Sequence, residues 1–170
     1  DGQTVLSVGA TLGPPEIGVL ASMGHESVDV IRRPKVAILA TGDELIGLKN
    51  PHSSTKIYDS NSYSLAASTI RAGGLPIMLG IAEDNFSSIS KSIERGLNSD
   101  ILVTSAGVSK GDYDMVKDVL SMHGKIEFWS IRMRPAKPLA FGTLRSNNGK
   151  LVPHLGLPGN PVSALVAFEQ

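Results

Sequence analysis

Short, unbroken apolar runs alternate with helically spaced apolar stripes along most of this chain. Val36-Ala37-Ile38-Leu39-Ala40 is the first clear run. It lacks the in-out alternation of a half-exposed strand, so it predicts a strand covered on both faces. A helix follows from about Ser60 to Ala72, with Tyr63, Ala66, Ala67 and Ile70 on one face and Gly73-Gly74 as its stop. Residues 75–81 predict a second strand. Phe86, Ile89, Ile93 and Leu97 mark a second helix, and Ile101-Leu102-Val103 a third strand. Val116, Val119 and Leu120 mark a third helix that ends at Gly124. Strands over 126–133, 139–144 and 151–155 come next, the last two joined by the hairpin signal Ser146-Asn147-Asn148-Gly149. A final helix starts near Asn160. Residues 46–57 are polar and read as a loop or loose hairpin.

Strand–helix alternation predicts an α/β domain of three layers: a mostly parallel sheet with helices on both faces. The region before it is less regular. Val5 to Val8 suggests a short strand, Pro14-Pro15 opens a helix carrying Ile17, Leu20 and Ala21, and residues 28–31 are apolar. Residues 1–33 read as a connector or remnant of a preceding domain, or equally as an extra helix packed on the sheet. Residues 34–170 read as the main domain. The missing Met at the start and the helix-like end at Phe168-Glu169-Gln170 suggest a piece of a longer polypeptide.

Composition narrows the chemistry. The 170 residues are 41% hydrophobic, enough for one domain with a core. Sixteen basic residues balance sixteen acidic ones, which gives no electrostatic footprint for nucleic acid. With no cysteine, disulfides, thiolate metal sites and a cysteine nucleophile are excluded, and a cytoplasmic location is expected. No apolar run approaches the roughly 20 residues of a membrane-spanning helix.

In a parallel sheet, ligands sit at the C-terminal ends of the strands, and four loops at such ends concentrate Gly, Asp, Ser, Thr and Asn. They are Thr41-Gly42-Asp43-Glu44-Leu45, Glu83-Asp84-Asn85, residues 104–114 and Gly156-Leu157-Pro158-Gly159-Asn160-Pro161-Val162-Ser163. The third contains Ser105, Gly107, Val108, Ser109, Lys110 and Gly111, a set of hydroxyls, freed backbone N–H groups and one cation before a helix. That arrangement suits an anion, or is a tight turn with an Asp cap. It is neither a Walker loop nor a dinucleotide fingerprint. In the fourth loop, Asn160 caps a helix and Pro161 takes its first position; Gly156 and Gly159 permit close approach of backbone or ligand. Asp43, Glu44, Asp84 and Asp114 would converge on one edge, either as helix caps or as a carboxylate cluster that suits Mg²⁺ beside a phosphate. Arg134 and Lys137, on either side of Pro135-Ala136, read as an oxyanion clamp or as solvated charge. Asp59 and Asn61, around Ser60, read as helix-capping or substrate contacts. The four histidines show no metal-ligand spacing, and Trp129 is expected in the core or an interface.

In order along residues 33–170, these segments resemble the molybdopterin-binding domain of the molybdopterin molybdenumtransferase family, the MoeA family that includes the C-terminal part of gephyrin. The matching segments are residues 33–37, 41–45, Tyr58-Asp59-Ser60-Asn61, 107–114, Arg134-Pro135-Ala136-Lys137-Pro138 and 157–164. The resemblance implies a MogA-like fold and a role in molybdenum cofactor biosynthesis. Family members take adenylated molybdopterin, remove AMP with the aid of Mg²⁺, and place molybdate on the dithiolene. It implies acidic site positions at Glu44, Asp84 and Asp114, with metal at Asp84 and Asp114, and a basic pair at Arg134 and Lys137. It implies substrate contacts from Thr41, Gly42, Asp43, Asp59, Asn61, the 105–111 loop, Pro158, Gly159, Asn160 and Ser163. A homodimer of the full-length protein is also implied. The chain departs from the family where Ala106 and Ala136 replace usual glycines and Arg134 replaces a lysine. Two other readings stand beside this one. A related adenylyltransferase-type enzyme would carry Gly-Gly-Thr-Gly or Gly-Gly-Leu-Gly where this chain has Ala-Gly-Val-Ser. A non-catalytic scaffold would have no need of Asp84 and Asp114.

Overall fold

The computed structural model describes residues 2–106 and 115–170. The chain divides into two compact units, residues 1–32 and 33–170. In the first, α1 (Pro14–Ser22) starts at two prolines, and Glu16 reaches back to accept from the Gly13 amide at 2.9 Å. No residue of α1 is buried. The strand expected at Val5–Val8 does not form; a turn stands there instead, with the Ala10 amide bonded to the Ser7 carbonyl.

The second unit runs β1 (Lys35–Thr41), β2 (Leu45–Ile46), β3 (Ile57–Tyr58), α2 (Asn61–Arg71), β4 (Leu75–Ala82), α3 (Phe86–Gly96), β5 (Ile101–Ser105), α4 (Met115–His123), β6 (Gly124–Ser130), β7 (Pro138–Arg145), β8 (Leu151–Leu157) and α5 (Pro161–Glu169). Its six-stranded sheet has the order β4-β1-β5-β8-β7-β6. The first four strands are mutually parallel, and β7 and β6 join through antiparallel pairings, so the sheet is mixed. The segment expected as a loop or loose hairpin is irregular over 47–56, and its ends form the two-residue strands β2 and β3, paired in parallel and not as a hairpin.

The sheet has a core on each face, as the unbroken apolar runs require. Ala37, Leu39, Leu102 and Val152 pack with Ile89 and Ile93 of α3 and Val116, Val119 and Leu120 of α4. Val36, Ile38, Val103 and Leu157 pack on the other side with Leu65 of α2 and Ala164 and Ala167 of α5. Full burial of each large aliphatic side chain contributes about 1.5–3 kcal/mol before entropy is set against it. Helix α3 is fixed at its start by Asn85, whose side chain accepts from the Ser88 amide at 2.9 Å.

Helix α2 turns a different face inward from the one its apolar residues suggested. Asn61, Ser62, Leu65 and Thr69 are buried, whereas Tyr63 and Ile70 are exposed. Leu65 is the large buried anchor of α2, with Ala66 partly buried beside it. Trp129, expected in a core or interface, is half exposed and packs against Phe141, with ring centroids 6.2 Å apart.

Candidate functional site

Register places four strand ends side by side: Thr41 lies opposite Ala82, Ala40 opposite Ser105, and Ser105 opposite Leu157. The loops after β1, β4, β5 and β8 therefore leave from one edge. Strand β5 leads to α4 on one face, while its neighbours β1 and β8 lead to α2 and α5 on the other. Connections that diverge in this way open a crevice at the strand ends.

On the β1–β4 side Asp43, Glu44 and Asp84 lie near enough for the first two to act electrostatically on the third. The Asp84 amide donates to Asp43 Oδ1 at 3.0 Å, and Lys56 Nζ holds the Asp43 carbonyl at 2.8 Å. Gly42 has φ +137° and the Glu44 carboxylate folds over it, 2.5 Å from where a Cβ would stand. Desolvation, then the negative charges of Asp43 and Glu44, raises the Asp84 carboxyl above its ordinary value of 3.8. Asp84 does not cap α3; Asn85 does. Among the described residues no group of three or more His, Cys, Asp or Glu side chains is close enough to form a metal cluster.

At the centre, Asn61 donates through its amide nitrogen to Ser105 Oγ at 2.6 Å and to the Gly159 carbonyl at 2.8 Å. The Ala106 amide donates to the Leu157 carbonyl at 3.0 Å. A Cβ at Gly159 would stand 3.6 Å from that of Ala106. The end of β5 and the Pro158-Gly159-Asn160 turn are thus in contact. Thr41, Asp59, Asn61 and Ser105 are all buried. Asp59 accepts from the Ser62 amide at 3.0 Å, which is the capping alternative. Asn160 caps α5, accepting from the Ser163 amide at 3.1 Å, with Pro161 at the first position.

On the third side, Arg134, Pro135, Lys137 and Ser163 line one cavity of about 480 Å³. The basic pair therefore shares its opening with the start of α5. Ala106 and Ala136 both adopt left-handed backbone, with φ of 78° and 77°. They are the two positions at which the sequence departs from the family's glycines. A larger opening of about 610 Å³, lined by His123, Lys125, Arg145 and Asn147 among others, lies at the opposite edge of the sheet.

The expected contributions of Gly107, Val108, Ser109, Lys110, Gly111, Asp112, Tyr113 and Asp114 lie outside the described residues. One buried polar pair has no counterpart in the sequence reading: His154 Nε2 lies 3.1 Å from Thr104 Oγ1, and both side chains are fully buried. The only signal for it was the position of His154 inside an otherwise apolar strand.

The sequence profile of a family described as "Probable molybdopterin binding domain" matches residues 37–170. The chain belongs to this family. The six ordered motifs thus identified the molybdopterin-binding domain, and the α/β architecture they implied is the one observed. A molybdopterin molybdenumtransferase of Nostoc sp. is 43% identical over 98% of this chain and 38% of its own length. That of Haemophilus influenzae is 41% identical over 99% of this chain and 41% of its own. A crystal structure of the molybdopterin biosynthesis MoeA protein from Pyrococcus horikoshii superposes with a TM-score of 0.80 at 33% identity, covering 93% of this chain and 38% of that one. This molybdopterin-binding domain therefore spans about two fifths of the length of the relatives it matches. Its general role is in molybdenum cofactor biosynthesis. Among the described residues no helix is long and apolar enough to cross a membrane.

Proposed function

We propose that this domain binds adenylated molybdopterin and, within the full-length cytoplasmic homodimer, acts as the pterin-holding part of a molybdopterin molybdenumtransferase. The observation that carries this reading is the contact between the end of β5 and the Pro158-Gly159-Asn160 turn through Asn61. It makes one ligand-sized edge from segments distant in sequence, with carboxylates on one side and a basic cavity on the other.

In this reading the pterin and its phosphate lie along Gly42, Asp43, the 105–111 loop, Pro158, Gly159, Asn160 and Ser163. Thr41, Asp59, Asn61 and Ser105, being buried, shape the floor. The α5 N-terminus supplies oriented N–H groups to an anion, an attraction of roughly 0.3–1 kcal/mol at an exposed site. Arg134 and Lys137 offset the charge of incoming molybdate. Glu44, Asp84 and Asp114 orient the water that attacks the phosphoanhydride as AMP leaves.

The donor set suits Mg²⁺, since carboxylates plus substrate phosphate oxygens are its usual partners. Burial and then the charges of Asp43 and Glu44 raise Asp84, and a cation would offset the repulsion. Asp84 and Asp114 would hold it, and when bound it would offset charge on the phosphoanhydride.

The test is calorimetric titration of the domain with adenylated molybdopterin, with and without Mg²⁺. Binding that requires Mg²⁺ is expected. Absence of heat at every concentration, in the presence of the metal, overturns the reading.

A further inference from the structure

The loop after β5 and the turn before α5 are separated by about fifty residues, and their geometry has to be matched for any one ligand to touch both. Among the described residues, the main chain ties this junction by the bond from the Ala106 amide to the Leu157 carbonyl. The Asn61 side chain extends the tie to Gly159. Its amide nitrogen carries two hydrogens and has two acceptors, Ser105 Oγ at 2.6 Å and the Gly159 carbonyl at 2.8 Å. The side chain stands in the first turn of α2, so three elements meet on one amide group.

The environment makes the arrangement demanding. Asn61 is 8% exposed and Ser105 2% exposed. A buried amide whose two hydrogens are both matched is costly to replace, since a substitution leaves buried acceptors without a donor. Asn is also the side chain the geometry selects. Leucine would leave Ser105 and the Gly159 carbonyl without their donor. Aspartate, almost identical in shape, would turn acceptor oxygens on the Gly159 carbonyl.

We infer that Asn61 is a positioning residue: it locks the end of β5 to the Pro158-Gly159-Asn160 turn, and so sets ligand affinity without touching the ligand. The affinity clause rests on the ligand reading proposed above; the lock does not. Ser105 and the Gly159 carbonyl share one donor group on α2, so the end of β5 and the turn loosen together when it is lost.

Amide hydrogen exchange and titration on four proteins test this: wild type, Asn61→Asp, Ser105→Ala and Thr69→Val. The Thr69 hydroxyl is buried on the same helix and bonded to nothing, which makes it the control. In Asn61→Asp, exchange at Ala106 and at Ser163 accelerates together by roughly fivefold or more, the factor that one lost hydrogen bond of about 1 kcal/mol gives at each. The β1–β5 ladder amides stay unchanged. Ser105→Ala accelerates Ala106 more than Ser163, and serves if Asn61→Asp does not fold. Thr69→Val changes neither. Affinity for adenylated molybdopterin falls at least tenfold in Asn61→Asp and holds in Thr69→Val. Uniform acceleration across the sheet marks Asn61 as an ordinary core residue and overturns the inference. So does unchanged exchange at Ala106 and Ser163, or unchanged affinity in a folded Asn61→Asp domain. A wild-type domain that binds no ligand overturns the function proposed above, and the exchange pattern then decides the lock alone.

Discussion

His154 makes the stability of this domain depend on pH in a way that can be calculated. Its ring is fully buried on β8, its Nε2 meets Thr104 Oγ1 at 3.1 Å, and its Nδ1 has no partner. Burial lowers its pKa from 6.5 to about 4. The folded domain therefore holds the ring neutral where the unfolded chain takes up a proton. Stability is fully present above pH 6.5, falls as pH drops below that, and stops falling near pH 4, where both states are protonated. A difference of that size corresponds to roughly 3 kcal/mol, at up to about 1.4 kcal/mol per pH unit. Against a total stability of about 5–15 kcal/mol this is a large share. The assay is urea unfolding of wild type and His154→Leu at intervals from pH 7.5 to 4.5. Carboxylates titrate in both proteins, so the difference between the two curves isolates the histidine. At pH 7.5 the variant is weaker by about 1–3 kcal/mol, because Thr104 loses its partner. On acidification wild type loses stability faster, and the gap closes or reverses by pH 4.5. Two curves that stay parallel across the range would refute the reasoning.

Ala136→Gly is expected to stabilise the fold by up to about 1 kcal/mol, since relief of roughly 1–2 kcal/mol of left-handed strain exceeds the entropy cost of glycine; a lower urea midpoint would contradict the strain at φ 77°. Asp84→Asn removes one of the three carboxylate charges at the β1–β4 edge. It should weaken the Mg²⁺-dependent binding of adenylated molybdopterin at least tenfold, as read by calorimetry, and an affinity equal to wild type in the presence of Mg²⁺ would remove Asp84 from that role.

Much of the sheet was legible because burial on both faces writes a local signature. Val36 to Leu39, Leu102-Val103 and the Ile89/Ile93 pair announce themselves by spacing alone, and each lies in one of the two cores. The Asn160-Pro161 start of α5 was equally local, since a cap and its helix are neighbours in sequence. The loops rich in Gly, Asp and Asn could be assigned to one edge by the rule for parallel strands, and the register bears that out.

What only the tertiary structure decided has a common cause: it depends on which distant residue stands opposite. Helix α2 offered Tyr63 and Ile70 as its apolar face, yet the face it buries carries Leu65 between Ser62 and Thr69. The pairing of β2 with β3 joins segments whose local pattern is polar. A histidine in an apolar strand becomes a neutral ring because folding buries it, with Thr104 beside it. Ala106 and Ala136 were visible as departures from the glycines that the resemblance led one to expect, but their left-handed backbone was not. Asn61 is the clearest case: its sequence context marks a helix start, and its bonds run 44 and 98 residues along the chain. Periodicity measures which face a residue shares with its near neighbours; it carries no information about contacts that exist only once the chain has closed on itself.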